Sequence, residues 1–418
     1  MNDQARTIQR TFITLTFMST LASSLIWGIN TLFLLDAGLN NLQAFTANAF
    51  FTAGQVVFEI PTGIIADSWG RRLSYMLGAI TLMASTLLYV LFWYVTVPFW
   101  LWGFVSLLLG LGFTFFSGAT EAWLIDALAF AKYKGDMEPV FAKAQIATGA
   151  SMLIGSVGGG LIAQFTNLGV PYLVRCLLLI VTLIVAFLFM KDIGFTPTRP
   201  KHILTASKKL FDQSVYYSFK SRPIRWLMLT TPFTGGAGIY AFYALQPYLL
   251  ELYGDPNAYS IAGLAAAGIA GAQIIGGLIS SRVRSLFKRR TTILLSSICV
   301  SSLMLLLVGV FTNFTLALIF GAIWAISFAI SYPVYLALIN TLIPSAQRAT
   351  VLSFNNLMGS AGGVVTQPAL GRAADVYGYA VTYIMSSAIS FIAIVFILLT
   401  RSENIPADRI ERKSDLQE

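Results

Sequence analysis

The chain has 418 residues, of which 56% are apolar and only 11% are Asp, Glu, Lys or Arg. Soluble domains carry about a quarter charged residues, so a water-soluble enzyme of this size is excluded. The formal charge is +9, and its meaning depends on where the 27 basic residues fall.

A helix needs about 20 mostly apolar residues to cross about 30 Å of hydrocarbon. That ruler predicts twelve spans, near 12–35, 43–65, 74–95, 98–126, 144–165, 172–190, 226–250, 259–281, 291–311, 315–338, 350–371 and 378–399. Backbone polar groups in lipid must be satisfied internally, so these are read as helices. The polar start, Met1 to Arg10, has no small-residue cleavage site, which predicts a retained first span rather than a signal peptide.

Arginine and lysine set the orientation. With the N-terminus cytoplasmic, 25 of the 27 basic residues fall on the inner side, and only Arg175 and Arg372 fall outside. Such a bias is membrane topology and not a nucleic-acid footprint. It places both termini in the cytoplasm and the chain in the inner (plasma) membrane. The longest polar interruption, 191–225, divides an N-terminal bundle (1–190) from a C-terminal bundle (226–400) and a tail (401–418). Lys208, Lys209, Phe211, Tyr216 and Tyr217 within it fit either an amphipathic surface helix or a solvated linker. Cys176 and Cys299 lie in apolar stretches and read as buried packing residues. With His202 the sole histidine, no metal site is expected.

Between predicted spans two and three the chain runs Gly63-Ile-Ile-Ala-Asp67-Ser-Trp-Gly70-Arg71-Arg72. A glycine, an aspartate four on, a glycine three further and two basic residues resemble the signature of the major facilitator superfamily. The preceding Phe58-Glu59-Ile60-Pro61-Thr62 resembles a variant common in its exporter-like branches. The resemblance implies an all-α membrane fold of two pseudo-symmetric six-helix bundles. It also implies that Asp67, Arg71 and Asp126, supported by Gly63, Gly70 and Arg72, latch the inner face. Anchoring of Arg71 and Arg72 to lipid headgroups is the competing reading. The second half keeps a worn copy, Gly277 with Ser281 at the aspartate position and the basic run Lys288–Arg290. In span five, Gly155-Ser156-Val-Gly-Gly159-Gly160 resembles an antiporter glycine motif, with Ser156 in place of proline. Generic helix packing accounts for these glycines equally.

Among the eighteen acids, Glu59 and Glu121 lie well inside apolar spans, and Asp36 stands at an outer helix end. A carboxylate in lipid must be paired, hydrated or protonated. Glu59 and Glu121, with Asp36 as a lesser candidate, are therefore read as proton carriers or as structural members of the inner charge cluster. The resemblance puts the substrate cavity on spans one, four, seven and ten. Its candidates are Trp27, Asn30, Glu121, Tyr240, Tyr243, Gln246, Trp324, Phe328, Tyr332 and Tyr335, although an aromatic stripe at helical spacing also suits packing. The expected function is proton-coupled efflux of amphipathic small molecules by a monomer without cofactor. Uptake of a nutrient is the alternative, and a polytopic membrane enzyme lacks a nucleophile or metal set.

Overall fold

A computed structural model describes residues 3–116, 119–197, 203–344 and 348–410. Arg199, Lys201, His202, Arg412 and Lys413 lie outside the described residues. Helices account for nearly all of the rest: α1 (Asp3–Trp27), α2 (Asn30–Asp36), α3 (Asn41–Trp69), α4 (Arg71–Tyr94), α5 (Phe99–Phe116), α6 (Ala119–Phe130) and α7 (Glu138–Phe165). There follow α8 (Val170–Phe189), α9 (Ile203–Lys220), α10 (Arg222–Tyr253), α11 (Tyr259–Ser285), α12 (Arg290–Val310), α13 (Phe314–Leu342) and α14 (Arg348–Ser402). Among the described residues there is no strand, only an isolated bridge between Arg289 and Arg409.

Nine helical stretches of the described residues are long and apolar enough to cross a membrane, or ten if α1 and α2 form one bent span. Four predicted spans differ from single straight helices. The first is bent by 46°, because Ile29 leaves helical geometry at φ −131° and ψ −1°. The fourth is represented by α5 and α6, on either side of residues 117 and 118. Predicted spans eleven and twelve both fall in α14, which breaks at Gly378, where φ is 78°. Within the predicted linker, Ile203–Lys220 form helix α9.

Contacts divide the chain into two compact units, Met1–Lys208 with Pro256–Ala267, and Lys209–Asp255 with Gly268–Glu418. Burying apolar area gives lipid-embedded helices little reason to associate, so close backbone approach and interhelical hydrogen bonds carry the packing. In the first unit α1 meets α7 at Gly155 and Gly159, where an added Cβ would overlap Ser24 Oγ and the Leu25 carbonyl. Ser24 Oγ also donates to the Ser151 carbonyl at 2.9 Å. A buried aromatic group built on Phe33, with Tyr172 at 4.1 Å and Trp93 at 5.9 Å between ring centroids, fills one end of this unit. The other end is filled by Phe12, Leu15, Tyr75, Trp123, Leu128 and their neighbours.

The second unit follows the same physics. Gly362 packs against the Pro232 carbonyl, and the Tyr383 hydroxyl donates to the Ala241 carbonyl at 2.7 Å. Ser387 and Ser327 donate to the carbonyls of Ser302 and Ser297 at 2.6 and 3.0 Å.

Candidate functional site

The turn from α3 to α4 is made by Gly70 at φ 114°, a backbone conformation that L side chains rarely adopt. It brings Asp67, on the last turn of α3, onto Arg71, on the first turn of α4, as a direct ion pair. Arg71 Nε lies 3.8 Å from Asp126 Oδ2, on α6, and its guanidinium is 5.7 Å from the centre of the Phe195 ring. The residues expected to form a latch thus stand together. Gly63 is half-buried with open space beside it.

Sequence reasoning missed a fourth member, Asp192. Its Oδ1 accepts from the Arg72 backbone N–H at 2.9 Å and so caps the first turn of α4. Its carboxylate occupies the space that a Cβ on Gly70 would need. Arg72 in turn donates to the Phe187 carbonyl at 2.6 Å and lies 4.8 Å from the Phe187 ring centre. Asp192 is exposed as a residue, but partial desolvation beside α4 pushes its carboxyl above its ordinary value, against the opposing pull of the Arg72 and Arg71 backbone N–H groups and guanidiniums. The available signal was an acid placed just beyond the last helix of its half.

The second unit closes its equivalent corner with a different stretch of chain. Ser281 stands where the repeat would carry aspartate, but buried Asp408, beyond α14, caps α12. Asp408 Oδ1 accepts from the Thr291 N–H at 2.7 Å and Oδ2 from the Thr291 hydroxyl at 2.9 Å. Arg289 Nη1 lies 4.0 Å from the same carboxylate, and Arg290 donates to the Ala407 carbonyl at 2.7 Å.

The embedded acids are dispersed. Glu59 is half-buried two residues before Pro61, inside α3. Glu121 is exposed on the first turn of α6. Asp36 is exposed and accepts from Trp93 Nε1 at 2.7 Å. Arg175 is buried at 2% exposure in the first turns of α8, 5.9 Å from the centre of the Phe113 ring. Cys299, expected to be buried, is exposed, while Cys176 is buried. The span-five glycines pack as a helix contact. Gly155, Ser156, Gly159 and Gly160 are all buried in α7, and a Cβ on Gly160 would lie 2.8 Å from Gly263 Cα.

The cavity candidates separate by environment. Trp324 and Gln246 are buried in the second unit. So are Tyr240, which donates to Thr382 Oγ1 at 2.7 Å, and Tyr335, which bonds the Asn355 side chain. Phe328 and Tyr332 are an exposed stacked pair at 6.5 Å. Tyr243 is half-buried. In the first unit Trp27 is half-buried. Asn30 joins a polar chain, donating to Asn48 Oδ1 at 2.8 Å and accepting from the Tyr172 hydroxyl at 3.0 Å. Among the described residues no group of three or more His, Cys, Asp and Glu side chains is placed to hold a metal.

The family profile of the Major Facilitator Superfamily matches residues 12–367 and 287–415. The chain belongs to the Major Facilitator Superfamily. It is a multi-pass membrane protein of that superfamily. An uncharacterized MFS-type transporter of Methanocaldococcus jannaschii is 25% identical over 240 residues, covering 55% of this chain and 57% of the relative. The match thus spans less than two thirds of that relative's length. Among solved structures, a nucleoside transporter, NupG, superposes with a TM-score of 0.74 at 11% identity, covering 96% of this chain and 99% of that one. A peptide transporter, POT, in complex with sulfate gives 0.75 at 13% identity, covering 96% of each chain. A POT family transporter in complex with 5-aminolevulinic acid gives 0.72 at 14% identity, covering 94% and 96%. At these identities the likeness is one of fold.

Proposed function

We propose that the chain is a proton-coupled secondary transporter that moves an amphipathic small molecule out of the cell by alternating access. It crosses the inner (plasma) membrane twelve times with both termini cytoplasmic, works as a monomer, and needs the proton gradient but no cofactor. The observation that carries this reading is the Asp67–Arg71–Asp126 cluster, which joins the α3–α4 turn to α6. A network of exposed and half-exposed charges can break and re-form at small free-energy cost, which suits a latch in a two-state carrier. Glu59 supplies the proton site. It lies in the α3 interior near Pro61, which lacks the N–H that would complete the helical ladder there, and protonation relieves its charge in lipid. In the second unit the half-buried Tyr243 and the exposed Phe328 and Tyr332 offer aromatic faces to such a cargo.

Inside-out vesicles test this directly. A proton gradient should drive uptake of an aromatic cationic dye, and Glu59→Gln should abolish the gradient-driven part without changing expression. Glu121→Gln should have the smaller effect, because Glu121 is exposed. Equal transport with and without the gradient excludes proton coupling. Normal transport by both mutants removes the acids from the mechanism.

A second reading, uptake of a polar metabolite, is favoured by the Asn30–Asn48–Tyr172 chain and by the nucleoside and peptide transporters of similar fold. Accumulation of a nucleoside or dipeptide by right-side-out cells, absent in Asn30→Ala, would select it over efflux.

A further inference from the structure

At the junction of α9 and α10 the second unit contains a cavity of about 420 Å³. Tyr217 and Lys220 on the last turn of α9 and Ser221 at the junction give it one polar wall. Ile224, Ile343 and Val351 give it an apolar one. We infer that this cavity binds the phosphate headgroup of an anionic phospholipid, with the apolar wall against the glycerol and upper acyl carbons.

Three features support a phosphate. Among the described residues the cavity wall carries a lysine and no acid. Across residues 209–225, Lys209, Lys220, Arg222 and Arg225 stand against a single acid, Asp212. Ser221 precedes α10 without making a side-chain cap, so its hydroxyl is available to a ligand beside the positive end of that helix. Basic pockets at the headgroup level between membrane helices recognise anionic lipids on this chemistry.

Other features favour a lipid over a free anion. α9 exposes Phe211 at 45% and Tyr216 at 59%, as expected of an amphipathic helix lying in the membrane interface. Phe211 and Phe219 each place their rings 6.0 Å from Phe354, which ties α9 to α14. The Lys220 ammonium lies 5.3 Å from the Tyr216 ring centre, which positions it at the rim. The leaflet involved follows the orientation proposed above, but binding itself can be read without it.

Native mass spectrometry of the purified full-length protein tests the site. Phosphatidylglycerol should be retained over phosphatidylcholine, and the Lys220→Gln, Ser221→Ala double variant should lose roughly tenfold in that retention, as removal of a charge-assisted hydrogen bond predicts. Lys220→Arg should keep it. Retention of phosphatidylglycerol by the double variant at the wild-type level overturns the proposal, as does equal retention of phosphatidylcholine by the wild type. Displacement of phosphatidylglycerol by an equal concentration of inorganic phosphate would identify an anion site and overturn the lipid. Should the double variant unfold in detergent, wild-type protein decides the matter. Phosphatidylglycerol must then shield Lys220 from amine-reactive labelling while phosphatidylcholine does not, and the absence of shielding overturns the proposal.

Discussion

The Asp408 carboxylate accepts from both the backbone N–H and the hydroxyl of Thr291, 117 positions earlier in the chain. Asp192 makes the matching contact with the Arg72 N–H, 120 positions earlier. The first turn of α4 is therefore capped by an acid from just beyond α8, and that of α12 by an acid from just beyond α14. The tail after α14 belongs to the structure of the second unit: Ile410 N–H donates to the Lys288 carbonyl at 3.0 Å.

Asp408→Ala should destabilise the protein by about 1–2 kcal/mol, because a helix cap is lost and the Thr291 donors are left unpaired. Asp408→Asn keeps an acceptor and should lose less. Thermal unfolding in detergent measures both, and an unchanged Asp408→Ala midpoint would refute the capping role.

Asp192 predicts a pH dependence of definite sign. Its folded carboxyl titrates above its ordinary value because partial desolvation opposes the charge. Its contribution to stability is therefore fully present below the unfolded carboxylate pKa of about 4 and is lost as pH rises through the raised folded value. The stability of wild type minus that of Asp192→Asn should accordingly fall between acid and neutral pH. A flat difference would show that desolvation at this exposed residue is too weak to move its carboxyl.

The inner cluster predicts an order of effects. Asp67 pairs with Arg71 directly, whereas Asp126 approaches it only to 3.8 Å. Asp67→Asn should change the labelling rate of a cysteine introduced at exposed Trp69, beside the α3–α4 turn, more than Asp126→Asn does. Exposed pairs contribute little to stability, so both variants should melt near wild type.

The span-five glycines predict a position-specific contrast. Gly159→Ala places a methyl into the Leu25 carbonyl and should destabilise by about 1–3 kcal/mol, as overpacking does. At Gly158 the nearest atom to a Cβ is Leu25 Cδ2 at 4.0 Å, so Gly158→Ala should be neutral or slightly stabilising. Equal effects at the two positions would place the α1–α7 contact elsewhere.

Hydrophobic length and the placement of basic residues make the membrane class legible in the sequence, because lipid demands long apolar helices and charge selects a side. The Asp67–Arg71 pair was equally legible, since its members are four residues apart across one tight turn. Asp192, Asp408 and Arg175 were not. Their partners Arg72, Thr291 and Phe113 stand on other helices, and no local period encodes a contact across so many positions. Only the packed bundle decides that an acid written as linker or tail becomes a helix cap, or that an arginine near a helix end packs against an aromatic ring in the interior. The same holds for Gly155 and Gly159, whose need to lack a side chain comes from the backbone of α1 lying against them.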